Sequence, residues 1–484
     1  MAVGLAALVA AAAMLLSGSS GSDPETPTGL PDLPPPFLGV AVLGNGGLTA
    51  AVDAYGSVVD LRAPGPAGRA LIENSAERQA AGTVPSDTGI QIWTRVGGEM
   101  LPMWQADEVR QRYLPGTNVL RTVAVFGSER VRIDEAIWGN RLAVNPTGSA
   151  VQLRTNEAGG FVTRSPEVLA KAAAADRRWL ARALPLGKAA PPWAVDIYER
   201  SLLVLRALTA RENGAVAAGA RDGWAYVWPR DASAVAIALA ESGYEPEAER
   251  IVQFLLGAGI EFAARFNGDG SPVPGREAQG DAIGWVAAAS EAAGIGNARQ
   301  AAHILAGGEP IPWRERADYW EDEPGDYLGN ALASGEPAIS QLYGGKVQPR
   351  LVREPGEPDS GLDSAAAWAV RPFSQPRLYP AARRTMERLV AAGTPFGITP
   401  GEGWEGGEDP WSAPTAWTAW SLATLGERQQ ALRMMQALRR SATPAGALPE
   451  RVDAQTGVPR STTPLAWSHA FMILALRELW PSSR

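Results

Sequence analysis

The spacing of apolar positions changes near residue 160. Before it, short runs alternate apolar and polar residues. Asn118-Val119-Leu120-Arg121-Thr122-Val123-Ala124-Val125-Phe126 and Arg130-Val131-Arg132-Ile133 are the clearest. A period of two predicts strands with one buried face. Leu43-Gly44-Asn45-Gly46-Gly47 and Asp53-Ala54-Tyr55-Gly56 are turn signals flanking strands expected at 48–52 and 57–61. An antiparallel β-sandwich over 38–160 follows.

Beyond residue 160 the pattern becomes helical. Residues 161–191 are rich in Ala, Leu and Arg and predict a linker helix. From 192 to 484 helical stretches are separated by Gly/Pro breaks. They are expected at 193–210, 231–242, 246–265, 280–293, 297–307, 361–370, 378–392, 411–424, 427–440 and 464–480, with two more within 311–345. About a dozen helices with short links suggest a toroid of helix pairs. No fixed repeat period supports a solenoid. The loops rich in Trp and charge precede every second helix or so, which in an up-and-down ring places them at one mouth.

Composition narrows the function. The chain has 484 residues, 45% of them hydrophobic, enough for a large core. A net charge of −8 without a long basic run argues against nucleic acid as the partner. Zero Cys excludes disulfides, thiolate zinc sites and a Cys nucleophile, two His argue against a His-rich metal site, and no cofactor is expected. The 17 Trp exceed ordinary need and suit both core packing and saccharide stacking. Residues 1–22 form an apolar Ala/Leu/Val run, then Ser/Gly, without a basic start. They predict a signal peptide or N-terminal membrane anchor, followed by a Pro-rich tether over 23–37. Export is the expected localisation, secreted or held at the outer face of the membrane. The oligomeric state is left open.

The chemistry-bearing stretch is Tyr226-Val227-Trp228-Pro229-Arg230-Asp231. An indole beside a cation and a carboxylate can stack on a sugar and hydrogen-bond its hydroxyls. A buried ion pair capped by a core Trp, or an Asp capping a helix, are the plain alternatives. Carboxyl groups placed beside a bound sugar could act on it. Candidates are Glu450, in Gly446-Ala447-Leu448-Pro449-Glu450, and Glu321, beside Trp320 in Asp318-Tyr319-Trp320-Glu321-Asp322. Glu402-Gly403-Trp404-Glu405-Gly406-Gly407-Glu408-Asp409-Pro410-Trp411 offers rival carboxylates. His469 lies in an apolar helix and reads as a satisfied buried His.

These stretches, with Pro464-Leu465-Ala466-Trp467-Ser468-His469-Ala470, resemble glycoside hydrolase family 15, which includes glucoamylases, glucodextranases and trehalases. The resemblance spans most of 38–480. It implies an (α/α)6 barrel over 192–484, and the 38–160 region resembles, in shortened form, the N-terminal domain of bacterial members. It also implies that Glu450 is the general base and Glu321 the general acid of an inverting, exo-acting α-glycosidase releasing β-glucose. Trp228, Arg230, Asp231, Gln279, Asp281, Trp320, Trp404, Glu405 and Trp411 are then the residues binding an oligo- or polysaccharide. Departures are a short stretch between Glu321 and Glu450, few helical signals around 345–360, and no Arg before Trp404. Dextran or trehalose hydrolysis, and a degenerate glycan-binding protein, are the alternatives. A terpene cyclase lacks its Asp-rich metal motif here.

Overall fold

A computed structural model of the chain describes residues 39–73, 89–147, 151–155, 160–295, 313–344, 346 and 348–482. The expected leader at 1–22, the tether at 23–37 and the helix at 297–307 lie outside these residues. No helix among the described residues is long and apolar enough to cross a membrane.

The N-terminal half is two facing sheets. The first runs β1 (Gly39–Gly44), β2 (Thr49–Asp53), β3 (Val58–Ala63), β5 (Ile90–Val96), β11 (Val151–Thr155), with β4 (Arg69–Glu73) on β3 and β6 (Glu99–Pro102) on β5. The second runs β12 (Val162–Thr163), β10 (Arg141–Thr147), β9 (Glu129–Trp138), β8 (Leu120–Phe126), β7 (Glu108–Tyr113). All pairs are antiparallel except β10 with β12. The period-two pattern does its expected work. Leu120, Ala124, Val131 and Ile133 point inward and join Leu43, Ala50, Val52 and Leu61 of the other sheet in one core.

Helix α1 (Pro166–Leu180) starts at Ser165, whose hydroxyl accepts from Val168 N–H, and it packs on the second sheet. Helix α2 (Pro192–Ala207) is the seat for the sandwich. Asn118 donates to Leu203 O at 3.0 Å, and Thr49 donates to Ala207 O at 3.2 Å.

The helical half contains α3 (Pro229–Glu241), α4 (Glu245–Gly257), α5 (Ala282–Ala292), α6 (Leu328–Ser334), α7 (Glu336–Tyr343), α8 (Tyr379–Ala392), α9 (Ser412–Thr424), α10 (Arg428–Ser441) and α11 (Ala466–Leu479). Six segments pack neighbour to neighbour: α3, α5, α6, the 3-10 turn Ser364–Ala369, α9 and α11, which returns to α3. These inner segments are buried nearly all round, as their unbroken apolar and small residues require. Helices such as α10, with polar residues on one side, lie outside them.

Two expected helices come out differently. The one over 246–265 stops at Gly257, because Gly259 follows at φ +65° and breaks it. The one over 361–370 is only a 3-10 turn, started by the Asp363 carboxylate accepting from Ala365 N–H and closed off by Pro372.

Candidate active site

The chain segments entering the inner helices meet at one end of the ring. Short backbone bridges lace them together: Val227 with Phe266, Gln279 with Ala317, Asp363 with Gly401, Ile398 with Trp411, and Trp411 with Arg451. They enclose a cavity lined by Trp224, Trp228, Arg230, Asp231, Arg276, Tyr319, Trp320, Glu321, Trp404, Trp411, Trp417, Glu450 and Trp467, among others.

Trp228 is the N-cap of α3 and Pro229 takes the first helical position, so Arg230 and Asp231 fall in the first turn. The N-cap position belongs to Trp228, so Asp231 is not the N-cap residue, although its carboxylate takes a bond from its own N–H in the first turn. Arg230 is 4% exposed, and one guanidinium nitrogen donates to Gln279 Oε1 and Asp281 Oδ2, both at 2.8 Å. Its guanidinium lies 5.0 Å from the Trp467 ring centre. Gln279 and Asp281 therefore stand behind Arg230 and hold it, and they do not line the cavity. Burial pushes the Asp231 carboxyl up to about 7; Arg230 opposes the shift, while Glu450 and Asp281 add to it.

Glu450 lies in a hairpin-like stretch. Its N–H donates to Thr462 O at 3.0 Å, and its carbonyl accepts from Ser412 N–H at 2.9 Å. Trp224 Nε1 donates to Oε1 of the carboxylate at 3.2 Å, and the Ser461 hydroxyl donates to Oε2. Burial raises its pKa above the usual carboxylate range, and these two donors oppose the rise. His469 supports the same stretch from below. Its Nε2 accepts Leu448 N–H at 2.9 Å and its Nδ1 faces the Ser201 hydroxyl at 2.9 Å. Burial lowers its pKa to about 3, so it stays neutral. It is the satisfied core histidine expected from its apolar helix.

Glu321 stands across the ring in a left-handed backbone conformation, φ +66°. For a residue with a Cβ this costs about 1–3 kcal/mol and needs a structure that imposes it. Here Glu321 N–H donates to Asp318 O at 3.0 Å and Trp320 N–H to the Asp318 carboxylate at 3.0 Å. Asp318 is in turn anchored by Arg353 at 3.1 Å, and Arg353 stacks 4.1 Å from the Trp320 ring centre. The acidic cluster around Glu321 is thus partly an internal brace. The Glu321 carboxylate accepts from Gln279 Nε2 at 3.2 Å and forms an ion pair with Arg276.

One wall is aromatic. Trp320 meets Trp404 edge-on at 5.0 Å, and Trp404 meets Trp411 at 5.3 Å. Glu405 is exposed and lies outside the lining, because the Gly-rich 402–409 loop turns Glu405 and Glu408 outward while Trp404 points in. In this loop Glu402 accepts from Leu362 N–H, and Asp409 accepts from Ala454 N–H and pairs with Arg451 and Arg460, so both are structural. Sequence reasoning missed Arg276, Trp224, Trp417 and Ser461. None belongs to a recognisable local motif; each arrives by chain crossing, although Arg276 is only three residues before Gln279.

This arrangement of a β-sandwich, a ring of helices and a Trp-lined cavity at the helix entries is a glucoamylase-like fold. A bacterial glucoamylase complexed with acarbose aligns over 95% of this chain and 96% of its own, with a TM-score of 0.63 and 13% identity. A wild-type glycosidase aligns over 62% of this chain and 98% of its own, with a TM-score of 0.50 and 20% identity. A variant of it in complex with glucose aligns equally well, at a TM-score of 0.50. No protein-family model matches the sequence, and no curated protein matches it.

Proposed function

We propose that the protein is an inverting, exo-acting α-glycosidase, with Glu321 as general acid, Glu450 as general base, and the helical half as an (α/α)6 barrel. The observation that carries this reading is the meeting of Glu321 and Glu450 at one Trp-lined cavity above Arg230 and Asp231. The six inner segments supply the ring. The likeness to glucoamylase and glycosidase structures supports the fold.

In this reading a chain end enters the cavity and its terminal sugar meets Arg230 and Asp231. Both are buried at its floor, which favours an end over a mid-chain segment. Trp228 and the Trp320–Trp404–Trp411 wall give stacking faces. Glu321 protonates the leaving oxygen. Glu450, oriented by Trp224 and Ser461, removes a proton from water, which attacks the anomeric carbon from the opposite side. The bond from anomeric carbon to leaving oxygen breaks as that to water forms, which inverts the centre. β-Glucose from α-glucans is the expected product, with dextran and trehalose as related substrates.

The Arg276–Glu321 ion pair favours a second reading. A cation against the acid keeps it ionised, and an ionised acid cannot donate. If Arg276 does not yield to substrate, the cavity binds glycans without cleaving them. One pair of variants separates the two. Glu450→Gln should lower hydrolysis of maltooligosaccharides by on the order of 10² to 10⁴. Glu321→Gln should lose maltooligosaccharides yet retain glucosyl fluoride, whose leaving group needs no proton. Wild-type protein that binds but does not hydrolyse would establish the binding reading.

A further inference from the structure

We propose that the outer face of the five-stranded sheet is a binding cleft for an acidic polysaccharide, separate from the Trp-lined cavity. On this face the outward positions of three adjacent strands carry Arg110 and Arg112 on β7, Arg121 on β8, and Arg130 and Arg132 on β9. The register sets them side by side: Arg112 opposite Arg121, Arg110 opposite Val123, and Val123 opposite Arg132. Five guanidiniums surround a small apolar floor in a chain whose net charge is −8. Only two carboxylates share this face on these strands. Asp134 pairs with Arg121 at 2.6 Å and lies 3.7 Å from Arg132, while Glu108 pairs with Arg110. Arg112 and Arg130 have no carboxylate partner among the described residues.

The face is not open on all sides. Residues 442–444 and 457–459 of the helical half form a wall facing the arginines, and together they line a cleft. That shape decides the occupant. A flat membrane surface would be held off by the wall. A single-stranded nucleic acid would want rings to stack its bases, and no aromatic residue lines the cleft; a duplex, like a membrane, would be held off by the wall. A flexible chain with regularly spaced anions fits. Guanidiniums take carboxylates and phosphates with paired hydrogen bonds, and the two-residue steps from Arg110 to Arg112 and from Arg130 to Arg132 repeat about every 7 Å along a strand.

The cleft also touches the candidate site through one segment. Residues 457–459 lie in the stretch between Glu450 and Leu465 that carries Ser461. An acidic glycan seated here would hold the protein on its polymer while leaving the Trp-lined cavity free.

The test is affinity electrophoresis of the whole protein in gels containing polygalacturonate, neutral dextran or no polymer. Wild type is expected to be slowed by polygalacturonate at low salt and released by about 0.5 M salt, where screening reaches a few ångströms. Dextran should be far less effective at slowing it through the arginine face. Arg112→Glu with Arg130→Glu should weaken the polygalacturonate effect by about tenfold or more, without changing the melting temperature by more than a few degrees. Arg112→Lys with Arg130→Lys keeps the charge and should retain part of the binding. Wild type that runs unchanged with polygalacturonate overturns the proposal. So does a folded double Glu variant slowed as strongly as wild type, or retention by anionic vesicles or DNA in its place.

Discussion

Arg276 and Glu321 place the central tension of the site in one ion pair. The guanidinium favours the ionised form of Glu321, and it also lowers the pKa of Glu450, against the rise that burial imposes. Removing the cation should therefore move both carboxyl groups upward. For Arg276→Gln we expect both limbs of the pH profile of kcat/KM to shift toward higher pH, in line with the loss of an adjacent opposite charge. A profile whose limbs stay in place would show that neither limb reports a carboxyl facing Arg276. Glu321 and Glu450 were both legible because each follows a distinctive short motif. Arg276 was not: its neighbours in the sequence carry no signature, and its role appears only when the 265–279 segment is folded across the cavity. The rival carboxylates of 402–409 looked equivalent in the sequence because beside-a-Trp says nothing of direction. The folded loop turns Trp404 inward and Glu405 to solvent.

At the scale of elements, the inner helices share a logic. Each is apolar on every side and is entered through a loop whose residues face the cavity. The outer helices, such as α10, were therefore found from periodicity and the inner ones from apolar runs bounded by Gly and Pro, and the loops before the inner helices could be placed at one end before any coordinates. Segment 361–370 shows the limit. Its apolar run is too short to show period, and whether it winds as an α-helix or a 3-10 turn is decided by the Asp363 cap and Pro372. The hairpin carrying Glu450 depends on α11 below it through His469. His469→Ala leaves Leu448 N–H and the Ser201 hydroxyl buried without this partner, costing about 1–3 kcal/mol for each group. A fall in stability of roughly 2–6 kcal/mol in urea unfolding is expected. Unchanged stability would mean that the hairpin is held by its backbone bonds alone.

At the scale of the whole molecule, buried carboxyl groups set the response to pH. Asp53, Asp231 and Asp318 are pushed up to about 7, and Asp363 to about 6, in each case chiefly by desolvation. In the unfolded chain they lose their protons near the ordinary Asp value of 3.8. Between these limits the folded state binds more protons than the unfolded one, so their contribution is fully present below about 4 and is lost as pH rises toward 7. His469 works the other way: it is neutral when folded down to about 3, so it favours the folded state more as pH rises to its ordinary value of 6.5. One histidine against four aspartates leaves the carboxyl groups dominant. The melting temperature should be several degrees higher at pH 5 than at pH 8. The opposite order would show that these groups are ionised at little cost, through bound water or altered packing. The two-layer plan of sandwich and helix ring was readable from the change of period near residue 160. The seating of one half on the other was not, because it rests on single long-range bonds such as Asn118 to Leu203.

The most direct measurement of the central claim is the configuration of the first sugar released, followed by proton NMR in the opening minutes of maltotriose hydrolysis, before mutarotation scrambles the anomers. Carboxyl groups across a cleft wide enough for a water should give inversion, and a closer nucleophile should give retention. We expect β-glucose to appear first, with the α-anomer growing only as mutarotation proceeds. Initial release of α-glucose, or a trapped glycosyl-enzyme at Glu450, would contradict the account.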